Sequence, residues 1–149
     1  MKEHIGMVRR LVVAANQIDG TYYLCARKMG VNENTLSLIY ALGDGMPHSQ
    51  KQICQEWLIP KTTINTIVKE LMAAGYVELL PSGHTREKTI NLTESGKNYT
   101  EKIMSGVYEA EQQAIQKTIQ EYSPQFVEAF EFFADQLCDE FEKQILNKN

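Results

Sequence analysis

Between residues 3 and 28 apolar side chains recur at Val8, Leu11, Val12, Ala15, Ile18 and Tyr22, the spacing of one helix face. Gly20 lies inside that run and disfavours its continuity, and Gly30 ends it. Asn32 then suits the N-cap of a second helix carrying Leu36, Ile39, Tyr40 and Leu42. Gly43-Asp44-Gly45-Met46-Pro47 is a cluster of breakers and predicts a loop. Ser49-Gln50-Lys51-Gln52 has the form of a capping box, in which the Ser49 hydroxyl accepts from the Gln52 amide and the Gln52 side chain reaches back. It opens a short helix with Ile53, Cys54 and Trp57.

Pro60 restarts the chain, since a residue without an N–H suits the start of a helix. The helix that follows carries Ile64, Ile67, Val68 and Leu71 on one side and meets Gly75 at its C-terminal end. Residues 76–92 read as a β-hairpin: Tyr76-Val77-Glu78-Leu79-Leu80, a turn at Pro81-Ser82-Gly83, and the alternating return Lys88-Thr89-Ile90-Asn91-Leu92. Thr93 caps a long helix reaching about residue 120, and Ser123-Pro124 starts a last one. That helix holds Phe126, Phe130, Phe133, Leu137 and Phe141, spaced four, three, four and four. The fold class is therefore mainly α with a small β-hairpin wing, a winged helix-turn-helix set between long helices. The organisation expected is N-terminal support helices over 1–46, a winged lobe over 47–96 and C-terminal helices over 97–149.

Composition adds limits. A chain of 149 residues with 43% hydrophobic and 23% charged residues can bury a core without staples. No apolar run is long enough to span a bilayer, and Arg9 and Arg10 interrupt any leader-like stretch, so no membrane partner is expected. Cys25, Cys54 and Cys138 are odd in number and widely spaced, which fits a reducing cytoplasm. The net charge of −4 is unevenly spread. Residues 1–48 and 49–97 each carry +1, and residues 98–149 carry −6, so a polyanion surface has to be local and central.

The central segment has the chemistry for one. A helix enters the major groove of B-DNA, and a partner helix holds it there. On the helix from Lys61 to Ala74, Thr62, Thr63, Asn65, Thr66 and Lys69 lie outside the Ile/Val/Leu stripe. Asparagine pairs with adenine, threonine meets a thymine methyl or a phosphate, and lysine reaches guanine or phosphate. Ser49, Gln50, Lys51, Lys61 and Lys88 suit the phosphate backbone, and Arg86 at the hairpin suits the narrow minor groove. An ordinary solvated helix face is the competing reading of residues 61–69, and a solvated turn arginine that of Arg86.

Pro47 through Gly96 resembles the DNA-binding lobe of MarR-type transcriptional regulators. The resemblance is carried by Lys61-Thr62-Thr63-Ile64, by Leu71 with Ala74-Gly75-Tyr76-Val77, by Arg86-Glu87-Lys88, and by Leu92-Thr93-Glu94-Ser95-Gly96. It implies a homodimer with interlocked first and last helices, a palindromic duplex operator as partner, and repression relieved by a small-molecule effector in a crevice. On that reading Phe126, Phe130, Phe133, Leu137 and Phe141 form the dimer interface, and Tyr22, Tyr23, Cys25, Tyr40 and Trp57 wall the effector site. Two positions depart from the family pattern: His84 stands where an aspartate buttresses the wing arginine, and Thr66 where an arginine is common.

Other chemistries find no support. His4, His48 and His84 lack metal-ligand spacing, and no phosphate loop or nucleophile–base arrangement emerges, so neither enzyme nor cofactor is expected. Cys25 reads as a small packed residue in preference to a redox sensor, having only Arg27 and Lys28 as sequence-near cations. A winged-helix protein–protein adaptor without useful DNA affinity is the alternative function, favoured by the net acidity and by Thr66.

Overall fold

In the computed structural model, which describes residues 1–83 and 86–148, helix α1 runs unbroken from Lys2 to Met29. Gly20 does not interrupt it: one glycine in a helix interior costs only about 1 kcal/mol relative to alanine. Gly30 closes α1 at φ 73°, and its amide pairs with the Ala26 and Arg27 carbonyls. Helix α2 spans Glu33–Leu42, with the Asn32 side chain accepting from the Asn34 amide at 2.8 Å. Its Leu36, Leu38, Ile39, Ala41 and Leu42 are buried.

After the expected loop comes an element the sequence pattern did not predict. His48–Ser49 form a two-residue strand, β1. The hairpin strands β2 (Val77–Pro81) and β3 (Lys88–Leu92) pair antiparallel, and β1 adds to the other edge of β3. The small β structure is thus a three-stranded sheet of order β1-β3-β2. His48 lies opposite Ile90 and Ser49 opposite Thr89.

Ser49 also caps helix α3 (Gln50–Trp57), accepting from the Gln52 amide at 3.1 Å. Only this arm of the capping box forms: Gln52 Nε2 donates forward to Glu56 Oε1 at 2.9 Å, one helical turn on. Helix α4 spans Lys61–Ala73, with Pro60 at the N-cap and Ile64, Ile67, Val68 and Leu71 all buried. The Gly75 amide bonds the Met72 carbonyl and the Tyr76 amide the Leu71 carbonyl, which turns the chain into β2.

The chain divides into two compact units, Met1–Met104 and Ser105–Asn149. The hydrophobic core lies in the first, where α2, α3 and α4 pack on Val77 and Ile90 of the sheet, with Cys54 partly buried against them. Helix α5 (Glu94–Glu121) begins in this unit. Thr93 Oγ1 accepts from the Gly96 amide at 3.0 Å and donates to the Gly75 carbonyl at 2.6 Å, while the Thr93 amide bonds the Tyr76 carbonyl at 3.0 Å. Gly96 lies so close to Tyr76 that a Cβ there would stand 1.8 Å from the Tyr76 carbonyl oxygen. The second unit holds the remainder of α5, helix α6 (Gln125–Phe141) and a π-helical turn, Glu142–Leu146. No residue of α6 is buried within the single chain.

Candidate nucleic-acid interface

The core stripe of α4 decides which side chains its outer face presents. With Ile64, Ile67, Val68 and Leu71 turned inward, Lys61, Thr62, Thr66 and Lys69 are exposed, and Thr63 and Asn65 are half-buried at the edge. The Thr66 hydroxyl donates to the Thr62 carbonyl at 3.1 Å, leaving its methyl and its oxygen lone pairs for any outside partner. Asn65 and Thr63 thus flank a surface whose most prominent groups are two lysines and two threonines.

The start of α3 and the wing approach this helix. The pairing of Ser49 with Thr89 ties the α3 N-cap to β3, two elements about forty positions apart in sequence. A concavity of ≈ 300 Å³ results, lined by Ser49, Gln50, Lys51, Lys61, Leu79, Arg86, Glu87 and Lys88. Four of the six cations within residues 49–97 therefore converge on one space, against one carboxylate. The beginnings of α3 and α4 both contribute residues to it, and helix N-termini carry partial positive charge. Such a space suits an anion with several oxygens, and a phosphate diester is one. Of the eleven residues singled out in the sequence for DNA contact, Ser49, Gln50, Lys51, Lys61, Arg86 and Lys88 line this concavity, while Thr62, Thr63, Asn65, Thr66 and Lys69 lie elsewhere on α4. Glu87 and Leu79 were not anticipated there. The alternation of charge in Arg86-Glu87-Lys88 was a signal for the former; nothing in the sequence marks the latter. His84, set where an aspartate buttress is usual, lies outside the described residues.

A hydrogen-bonded pair supports the loop that leads into β1. His48 Nε2 lies 2.8 and 2.9 Å from the two Asp44 carboxylate oxygens, and the Met46 amide donates to Asp44 Oδ1 at 2.8 Å. Desolvation would raise the Asp44 carboxyl. The hydrogen bond from His48, the Met46 amide and the imidazole charge outweigh it and hold the group below the ordinary carboxylate value. The pair fixes the chain just before the α3 cap, a role the sequence reading did not assign to either residue.

The residues expected to wall an effector site separate into two groups. Tyr22 of α1, Tyr40 of α2 and Trp57 of α3 form an edge-to-face series, with ring centroids 6.1 Å and 5.5 Å apart. Tyr23 instead carries the Arg27 guanidinium 5.9 Å from its ring centre, and Cys25 is half-buried. On α6, Phe126, Phe130 and Phe141 are exposed and Phe133 and Leu137 half-buried within the single chain. Among the described residues, no group of three or more potential metal ligands occurs, and no helix is long and apolar enough to cross a membrane.

Residues 29–86, from the end of α1 into the wing, match the profile of the MarR family. No curated protein matches the sequence as a relative. Among solved structures, a MarR family regulator from Neisseria meningitidis is 24% identical, with 95% of this chain and 99% of that one covered at a TM-score of 0.73. The transcription regulator MarR from Oenococcus oeni PSU-1 is 18% identical over 89% of this chain and 98% of its own, TM-score 0.66. NadR, solved in complex with 4-hydroxyphenylacetate, is 16% identical over 85% and 88%, also at 0.66. At these identities the structures speak to fold, and the profile speaks to the lobe that contains α2, α3 and α4. Residues 29–86 are thus similar to the MarR family model, and the chain as a whole shares the fold of the solved MarR family regulators.

Proposed function

We propose that the protein is a homodimeric, sequence-specific DNA-binding regulator of transcription, a repressor that a small ligand or other signal releases. The observation that carries this reading is the basic concavity: in a chain of net charge −4, Lys51, Lys61, Arg86 and Lys88 converge from two helix starts and the wing. In this reading α4 enters the major groove with Asn65, Thr62, Thr63 and Thr66 toward base edges and Lys69 toward the backbone. The concavity seats a phosphate, with Ser49 and Gln50 at its rim, and Arg86 reaches the flanking minor groove. Two such lobes in a two-fold dimer address half-sites about 34–36 Å apart, a palindromic duplex operator.

The segments 1–46, 47–96 and 97–149 then act as support helices, reading lobe and dimerisation helices. The apolar face of α6, uncovered in the single chain, supports a second copy as its cover. The free cysteines support a reducing, cytoplasmic setting. An aromatic carboxylate is the effector class we favour, with Tyr22, Tyr40 and Trp57 as stacking wall and Tyr23 and Cys25 nearby in sequence; NadR's 4-hydroxyphenylacetate is of that class. Selection of duplex fragments by the pure protein, followed by titration of the winning fragment and a scrambled one at two salt concentrations, tests the reading. A selected palindrome, bound with steep salt dependence, is expected. Failure to enrich any duplex refutes the DNA reading in favour of an adaptor.

A further inference from the structure

The concavity shared by α3, α4 and the wing contains one negative side chain. Glu87 follows Arg86, precedes Lys88, and lines the same ≈ 300 Å³ space as the four cations. Among the described residues no ion pair joins it to any of them. A carboxylate that forms no ion pair with a described neighbour does not brace those residues through its side chain. What it does is subtract from the local positive potential. Its main chain has a separate role: the Glu87 carbonyl accepts from the Ser82 amide at 3.3 Å, a contact across the wing that no side-chain substitution removes.

We infer that Glu87 limits the affinity of this protein for DNA by repelling the phosphate that Lys51, Lys61, Arg86 and Lys88 attract. The inference rests on the reading of the concavity as a phosphate seat. Phosphates are the same at every sequence, so a charge acting on them changes affinity for all duplexes by one factor and leaves discrimination by α4 untouched. The consequence for a releasable regulator is direct. A ligand frees the protein only by its differential affinity for the two states, and a capped DNA affinity keeps that difference sufficient.

The test uses the full chain and a fluorescent random-sequence duplex, so that no operator need be known. Anisotropy titrations across a range of salt compare wild type with Glu87→Gln, Glu87→Asp and Lys88→Ala. Removing the carboxylate charge tightens binding about three- to tenfold at low salt, the scale of one unit charge across a groove edge in water-like surroundings. The gain shrinks as salt screens it. Glu87→Asp, which keeps the charge, binds as wild type, and Lys88→Ala binds more weakly. The melting temperatures of wild type and Glu87→Gln coincide. Weakening by Lys88→Ala with no gain from Glu87→Gln overturns the role of Glu87 and leaves the phosphate seat standing. Equal losses in Glu87→Gln and Glu87→Asp assign the side chain a structural role and also overturn it. No salt-dependent duplex binding by any form overturns the seat and this inference together.

Discussion

Gly96 offers a perturbation whose sign the geometry decides. Replacing a helical glycine by alanine ordinarily stabilises a helix by about 1 kcal/mol. At Gly96 the added methyl would stand 1.8 Å from the Tyr76 carbonyl oxygen, well inside the 3.4 Å at which ordinary contact begins. The obstacle is backbone, so no rotamer change relieves it, and the start of α5 must move away from the α4–β2 turn. That movement strains two hydrogen bonds, Thr93 amide to Tyr76 carbonyl and Thr93 Oγ1 to Gly75 carbonyl, each worth about 0.5–1.5 kcal/mol. Overpacking of a tight site adds about 1–3 kcal/mol. After the helix-propensity gain is subtracted, Gly96→Ala destabilises by about 1–5 kcal/mol. Gly106→Ala, in the same helix with nothing within 4 Å of its added methyl, keeps the gain alone. Thermal melts at one fixed protein concentration, because association shifts apparent stability, should place Gly96→Ala about 2–20 °C below wild type and Gly106→Ala a few degrees above it. A Gly96→Ala protein as stable as Gly106→Ala would refute the close approach of α5 to Tyr76.

Three further outcomes follow from other places in the fold. Leu58 holds φ 50° and ψ 42°, left-handed for a non-glycine residue, while 88% exposed; Leu58→Gly should therefore raise stability by about 0.5–1 kcal/mol in denaturant titration, the left-handed strain being about 1–2 kcal/mol less glycine's entropy. The depressed Asp44 carboxyl contributes stability that is full above its unfolded value of 3.8 and lost as pH falls through the lower folded value. Asp44→Asn should accordingly be less stable than wild type near neutrality and converge on it in acid, and parallel curves of melting temperature against pH would contradict this. Phe133→Asp should dissociate or aggregate the protein in sedimentation experiments, since burial of each such side chain at a two-fold interface is worth about 1.5–3 kcal/mol; a monomeric wild type at micromolar concentration would remove the premise.

What the sequence determined by itself is what neighbours within a turn or two of each other decide. The stripe of Ile64, Ile67, Val68 and Leu71, the caps at Asn32, Ser49 and Thr93, and the stop at Gly30 all depend on residues within a few positions of each other, and all appear as read. The hairpin strands were legible for the same reason, as alternation around a local turn. The tertiary structure decided the rest. A two-residue strand has no period to detect, so β1 exists only because β3 offers His48 and Ser49 an edge. The reaching-back arm of the capping box was lost because Glu56, one turn on, takes the Gln52 amide group. Gly96 looked like part of a family motif, and its need for a bare Cα arises only when α5 meets Tyr76. The grouping of Lys51, Lys61, Arg86, Lys88 and Glu87 in one concavity has the same origin. Periodicity records which face of an element is apolar; which charges end up facing one another depends on how three elements close over a common core, and no single stretch of sequence contains that.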